Sequence, residues 1–261
     1  MSLTLTPVLD IPFIHAGDDL AEIILRAFEG NGIDLIDGDI MVVAQKIVSK
    51  AEGRLVDLRT VTPSARAIKL AEPTQKDPRL IEVILQESNE VLRTRPGTII
   101  VEHHQGFVCA SAGVDHSNVG IAGLQAVETA DSEDWVLLLP KDSDASALAL
   151  RRRLEAASGA RLGVLIIDSH GRAWRLGTVG VAIGLSGLPG LVDLRGQPDL
   201  FGYQLRITQV GVADELAAAA SLIMGQAAEG TPVVHVRGFP YTLREASLRE
   251  LLRPKDEDLF R

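Results

Sequence analysis

The chain alternates short apolar runs with polar punctuation in an α/β rhythm. Asp18 and Asp19 precede the periodic stretch Leu20 to Phe28, and Gly30-Asn31-Gly32 follows it, so a capped first helix is expected there. Asp37-Gly38-Asp39 then turns into Ile40-Met41-Val42-Val43-Ala44, an unbroken apolar run of the kind that buried strands carry. The spacing of Leu80, Ile81, Ile84, Leu85 and Leu92 predicts a helix over 79–93, stopped by Pro96-Gly97. Strands are expected at Thr98–Glu102 and Phe107–Ala110, joined through His103-His104-Gln105-Gly106.

Further along, Trp135–Leu139 reads as a strand, Ala145–Ala157 as a helix, and Leu162–Ile167 as a strand that runs into Asp168. Together they are expected to form a βαβ unit with a parallel crossover. That would put Asp168 at the carboxyl end of a sheet strand, where open α/β folds place their ligands. Eight glycines and two prolines between Gly171 and Gly202 predict irregular chain or short strands. An Ala-rich helix over Val212–Met224 and a closing strand over Val233–Val236 complete the pattern. The fold class is mixed α/β. No repeat or linker divides the chain, so 1–261 reads as a single domain, with room for a smaller subdomain around 60–108.

Composition narrows the possibilities. With 46% hydrophobic and 23% charged residues the chain belongs among folded globular proteins, not disordered or fibrous ones. Lys plus Arg (26) against Asp plus Glu (35) leaves a net charge of -9, which gives nucleic acid and anionic membranes no electrostatic foothold. The expected partners are small molecules. The single cysteine, Cys109, allows neither an intrachain disulfide nor a thiolate metal site, and it reads as core. The first residues lack the basic start and apolar stretch of a secretion signal, and no apolar run approaches about 18 residues, so a cytoplasmic location is expected.

The common nucleotide and hydrolase signatures are missing. There is no Gly-Lys dipeptide and hence no Walker A loop, no G-x-G-x-x-G of a Rossmann site, no Gly-x-Ser-x-Gly and no H-E-x-x-H. Four polar segments remain, each at the end of an apolar run. Gln45-Lys46-Ile47-Val48-Ser49-Lys50 carries two ammonium groups four residues apart, suited to a polyphosphate; a solvated helix start has the same pattern. Gly113-Val114-Asp115-His116-Ser117-Asn118 offers a hard oxygen ligand beside a polar amide, though Asp and Asn also simply favour turns. Asp168-Ser169-His170-Gly171-Arg172 puts a carboxylate and a hydroxyl after a buried strand, a donor set for Mg²⁺ or Mn²⁺, or else a capped turn. Met224-Gly225-Gln226-Ala227-Ala228-Glu229-Gly230-Thr231 has two glycines five apart whose backbone N–H groups can approach phosphate, as can an ordinary helix end.

In order, these segments resemble the coenzyme F-420-0:L-glutamate ligase family. The resemblance adds Ile11-Pro12-Phe13-Ile14 followed by Gly17-Asp18-Asp19, the run from Ala44 to Arg54, Ala213-Asp214-Glu215-Leu216-Ala217, and Pro232-Val233-Val234. It implies a family-specific ligase fold, an intertwined homodimer, and ligation of L-glutamate to F-420-0 through an acyl phosphate, with GTP consumed. By position it implies that Pro12, Phe13, Ile14, Gln45, Lys46, Lys50 and Asn118 contact GTP, together with the loop Met224, Gly225, Gln226, Ala227, Ala228, Glu229, Gly230 and Thr231. It also implies that Asp115, Asp168, Ser169 and Gln226 ligate two Mg²⁺ or Mn²⁺ ions, with K⁺ a further candidate. Asp115, Asp168, Lys46 and Lys50 then carry the catalysis. His170 and Ala173 depart from the commoner family pattern. Two other classes stay open: a metal-dependent phosphohydrolase using Asp115 and Asp168, and a noncatalytic nucleotide-binding module.

Overall fold

The structure, a computed structural model, describes residues 2–117 and 134–260. At its centre is a five-stranded sheet ordered β1 (Thr4–Pro7), β12 (Val233–Arg237), β2 (Ile40–Ala44), β8 (Gly163–Arg172) and β9 (Arg175–Ser186). Only β2 and β8 run parallel; the other neighbours are antiparallel. The β2 run is apolar throughout because both of its faces are covered. Met41 and Val43 face one core cluster with α1 (Leu20–Gly30) and α5 (Ser143–Ser158), whereas Ile40 and Val42 face another with α6 (Val212–Met224). All four are fully buried, and each such side chain contributes roughly 1.5–3 kcal/mol.

The first helix follows the expected capping: Asp19 accepts the Glu22 N–H at 3.1 Å, and Asn31 closes the other end. Between β2 and the sheet's return lie α2 (Gln45–Ala51), β3 (Leu55–Asp57), α3 (Ala65–Thr74), α4 (Pro78–Gln86), β4 (Ser88–Arg95), β5 (Thr98–His103), β6 (Val108–Ala110) and β7 (Trp135–Leu137). A third apolar cluster forms here, with Leu80, Ile81 and Ile84 of α4 packed beside Ile99 and Val101 of β5. The remaining pair, β10 (Val192–Asp193) and β11 (Gln209–Val210), is short and antiparallel. Among the described residues no helix is long and apolar enough to cross a membrane.

Three expectations are corrected. The helix expected over 79–93 ends at Gln86, and 88–95 is a strand that returns on β5 across Pro96-Gly97; Val91 pairs with Val101. Val91 and Leu92 satisfy a helical spacing by coincidence, and the side-chain bond from Asn89 to Glu102 (3.0 Å) helps hold the strand. The expected βαβ unit does not close in one sheet, because β7 pairs with β3 and the parallel partner of β8 is β2. The glycine-rich stretch is not irregular at its start, since β9 runs for 12 residues. A Cβ at Gly184 would meet the Ser143 backbone carbon at 2.4 Å, and one at Gly180 the Ala217 oxygen at 2.6 Å. Those glycines admit helices on both sheet faces, a packing requirement and not a turn signal.

Candidate active site

The chain leaves the sheet at Ala44 and turns directly into α2, so Gln45, Lys46 and Lys50 are presented where β2 stops. Ala44 pairs with Ile167, which puts Asp168 one residue past the end of the parallel pair. Beyond that point β8 and β9 continue as a two-stranded ribbon. Asp168 therefore lies within a long strand and at the carboxyl end of β2, the geometry in which open α/β sheets bind ligands.

A cavity of about 560 Å³ opens there. It is lined by Pro12–Ile14, by Gln45, Lys46 and Lys50, by Asp168 and Ser169, and by the whole loop 224–231. Segments separated by more than 200 positions in the chain are thus gathered around one volume. Phe13 is 83% exposed at this cavity, an unburied aromatic face available for stacking. Ile11, Ile47 and Pro232, quoted in the motifs but given no contact role, also line it, as does Ser221, which no motif included. Ser221 carried one readable signal, a lone hydroxyl in the Ala-rich face of α6 four residues before Gly225.

Gln45 is 1% exposed. Its Oε1 accepts from Ser49 Oγ at 2.8 Å, which leaves Nε2 buried with no partner among the described residues. An unmet buried donor costs about 1–3 kcal/mol, so an acceptor entering the cavity would recover that cost. Lys50 has its ammonium lowered from the usual range by burial, with the neighbouring charge of Lys46 adding to the effect. An anion between the two would reverse that pressure.

Lys46 is already engaged. Its Nζ donates to the Ser117 carbonyl and hydroxyl at 3.1 and 2.9 Å and lies 3.1 Å from Asp115 Oδ2. Ser117 Oγ in turn donates to Asp115 Oδ1 at 3.2 Å. Asp115 does not line the cavity itself but reaches its edge through Lys46. Asn118 lies outside the described residues. On the opposite arm, Ser169 Oγ donates to Gln226 Oε1 at 2.8 Å, and Gln226 Nε2 donates to Ser221 Oγ at 2.9 Å. His170 Nε2 is 3.0 Å from Asp168 Oδ2, a contact that the sequence did not assign.

Among the described residues no three His, Cys, Asp or Glu groups converge on one point. The available donors are two carboxylates, Asp115 and Asp168, and two neutral oxygens, Ser169 Oγ and Gln226 Oε1, which already touch. Hard oxygen donors of this kind suit Mg²⁺ or Mn²⁺ with retained waters, and they do not suit a thiophilic metal. Cys109 is no candidate nucleophile: burial, with the charge of Asp168 adding to it, pushes its thiol up to about 12.

Comparison with known proteins gives a consistent answer. A family model described as F420-0:Gamma-glutamyl ligase matches residues 8–238. The coenzyme F420:L-glutamate ligase of Methanothermobacter thermautotrophicus is 46% identical over 263 residues, covering 100% of both chains. Those of Methanocaldococcus jannaschii and Archaeoglobus fulgidus are 42% and 41% identical, covering 97% and 100% of this chain and 95% and 97% of their own.

Proposed function

The chain belongs to the F420-0:Gamma-glutamyl ligase family, and from that premise we propose that it joins L-glutamate to coenzyme F-420-0 in a GTP-driven reaction. The observation that carries the GTP-driven part is the cavity at the end of β2, where two lysines, an unmet amide donor and a glycine loop meet a strand-borne carboxylate. The lysines, the amide donor and the loop N–H groups favour oxygen anions, in a protein whose net charge of -9 would otherwise repel them.

A carboxylate is a poor electrophile, so it must be activated before an amine can attack it. In the proposed reaction a carboxylate oxygen of F-420-0 attacks the γ-phosphorus of GTP. The bond from that phosphorus to the bridging oxygen breaks, and GDP departs. The amine nitrogen of glutamate then attacks the acyl carbon, the bond from that carbon to the phosphate oxygen breaks, and phosphate leaves as the nitrogen loses a proton. Lys46 and Lys50 hold the phosphate oxygens, the loop 224–231 approaches them with backbone N–H groups, and Gln45 Nε2 donates to an acceptor on the nucleotide. Asp115, Asp168, Ser169 and Gln226 would together hold two divalent cations. When bound there, such ions neutralise charge that develops on the phosphoryl group.

The test is product analysis with F-420-0, L-glutamate, GTP and Mg²⁺ or Mn²⁺. The expected product is F-420-0 heavier by one or more glutamyl units, with GDP and phosphate released only when glutamate is present. Phosphate release without glutamate would favour the phosphohydrolase reading. Tight GTP binding with no turnover in any mixture would favour a binding module.

We propose further that the working form is a homodimer. The tip of the β8–β9 ribbon presents Trp174 and Leu176 to solvent, and the segment 194–208 presents Leu200, Phe201 and Ile207; Leu176 is 98% and Phe201 94% exposed. That segment is held by its own backbone bonds, Gly196 N to Leu205 O at 2.7 Å and Leu205 N to Gln197 O at 2.9 Å. An ordered arm with an apolar tip calls for cover, and a second copy supplies it. Sedimentation equilibrium is expected to give twice the 28.0 kDa chain mass. A monomer at micromolar concentration would defeat this reading.

A further inference from the structure

The loop after α6 already holds an anion, and the anion is its own. Glu229 folds back so that Oε2 accepts the Ala227 N–H at 2.8 Å. Its carboxylate lies close over Gly225, where a Cβ would sit 2.2 Å from Glu229 Cδ and 2.5 Å from Oε2. Gly225 has φ +73°, a left-handed conformation that glycine adopts freely, and the missing side chain leaves the space that the carboxylate fills. Backbone hydrogen bonds, that from Ala227 first, hold the Glu229 carboxyl below its usual range. Glu229 is exposed, so water is at hand for it when it leaves.

A carboxylate matches a phosphate's oxygens in charge and acceptor geometry, and loop N–H groups at such a turn donate to either. We infer that Glu229 is an internal placeholder whose carboxylate occupies the subsite that a nucleotide phosphate takes and must swing out before the nucleotide seats. The inference rests on the nucleotide reading of this cavity and adds to it a built-in competitor. Its cost follows from simple competition: a site open one-tenth of the time binds its ligand with a tenfold higher apparent Kd.

The test measures binding of a nonhydrolysable GTP analogue and of guanosine, with Mg²⁺ present, to the full chain and to Glu229→Gln and Glu229→Asp. The amide is a weaker acceptor, and the shorter carboxylate keeps its charge but loses the reach back to Ala227. Both substitutions are expected to tighten the analogue roughly three- to tenfold and leave guanosine unchanged. Three results overturn the placeholder: no change in either variant, tightening in Glu229→Gln alone, which would mean charge repulsion only, or equal tightening of guanosine. Failure of all three chains to bind the analogue would instead overturn the nucleotide reading, and the placeholder with it.

Discussion

Replacing Asp168 by Asn will lower the rate of glutamate ligation about 10²-fold or more while leaving the fold intact. Asn has the same shape, so the β8–β9 pairing at Val181 and the packing around it are kept. Its amide can still meet His170 across the 3.0 Å contact. What it lacks is the negative charge, and that charge is the one property a cation-assisted phosphoryl transfer asks of a carboxylate at the end of a strand. A hundredfold loss corresponds to about 2.7 kcal/mol of transition-state stabilisation. In the proposed reaction the loss should fall on kcat more than on the KM for GTP, because Lys46, Lys50 and the glycine loop, the groups proposed to hold the nucleotide, are unchanged. Initial rates at saturating Mn²⁺ check the effect, and a Mn²⁺ titration of both proteins without substrates gives an independent readout. Near-normal turnover, or unchanged Mn²⁺ binding, would remove Asp168 from the ligand set.

That position was legible in the sequence because local signals coincided there. Ile166 and Ile167 announce a buried strand, and the polar run that follows marks where its apolar run stops. The same logic picks out Gln45 and Lys46 after Ala44, and Gly225 after Met224. The cavity at which they meet is a property of the topology, which pairs β2 with β8 across more than 100 residues, and no window of the chain contains it. Local reading failed where a tertiary partner decides the outcome. Residues 88–95 become a strand because β5 waits across Pro96-Gly97, and Gly180 and Gly184 sit in a strand because Ala217 and Ser143 press against them. The fold-back of Glu229 onto Ala227 was equally out of reach, since it depends on a backbone turn that only the structure displays.

At the other end of β2 a second carboxylate has a structural task, and removing it is expected to cost stability without touching the chemistry. Asp39 is 1% exposed and precedes Ile40 directly. Its Oδ1 accepts from Arg237 Nε at 2.9 Å, and its Oδ2 from Arg237 Nη2 at 2.6 Å and from the Ile36 N–H at 3.1 Å, with His235 Nε2 2.9 Å away. Its backbone oxygen accepts from Gly163. The residue thereby clamps β12 and β8 onto the start of β2. Breaking a buried pair by removing one partner costs about 3–5 kcal/mol; because the Arg237 side chain is 43% exposed and can rehydrate, Asp39→Ala should cost less, about 2–4 kcal/mol. For a chain of this size that lowers Tm by roughly 5–15 °C. Burial pushes the Asp39 carboxyl up, but the hydrogen bonds from Arg237 and His235 outweigh it and hold the group below its ordinary 3.8. A carboxyl lowered in the folded state contributes stability above its unfolded pKa and loses that contribution as pH falls through the folded value. The gap between wild type and Asp39→Ala should accordingly be constant from pH 5 to 7 and shrink below about pH 4. Urea unfolding across that range checks both the size and the sign. A gap that widened on acidification would mean that the carboxyl, not the carboxylate, is the form the fold prefers, and the clamp would then have to be a neutral hydrogen bond.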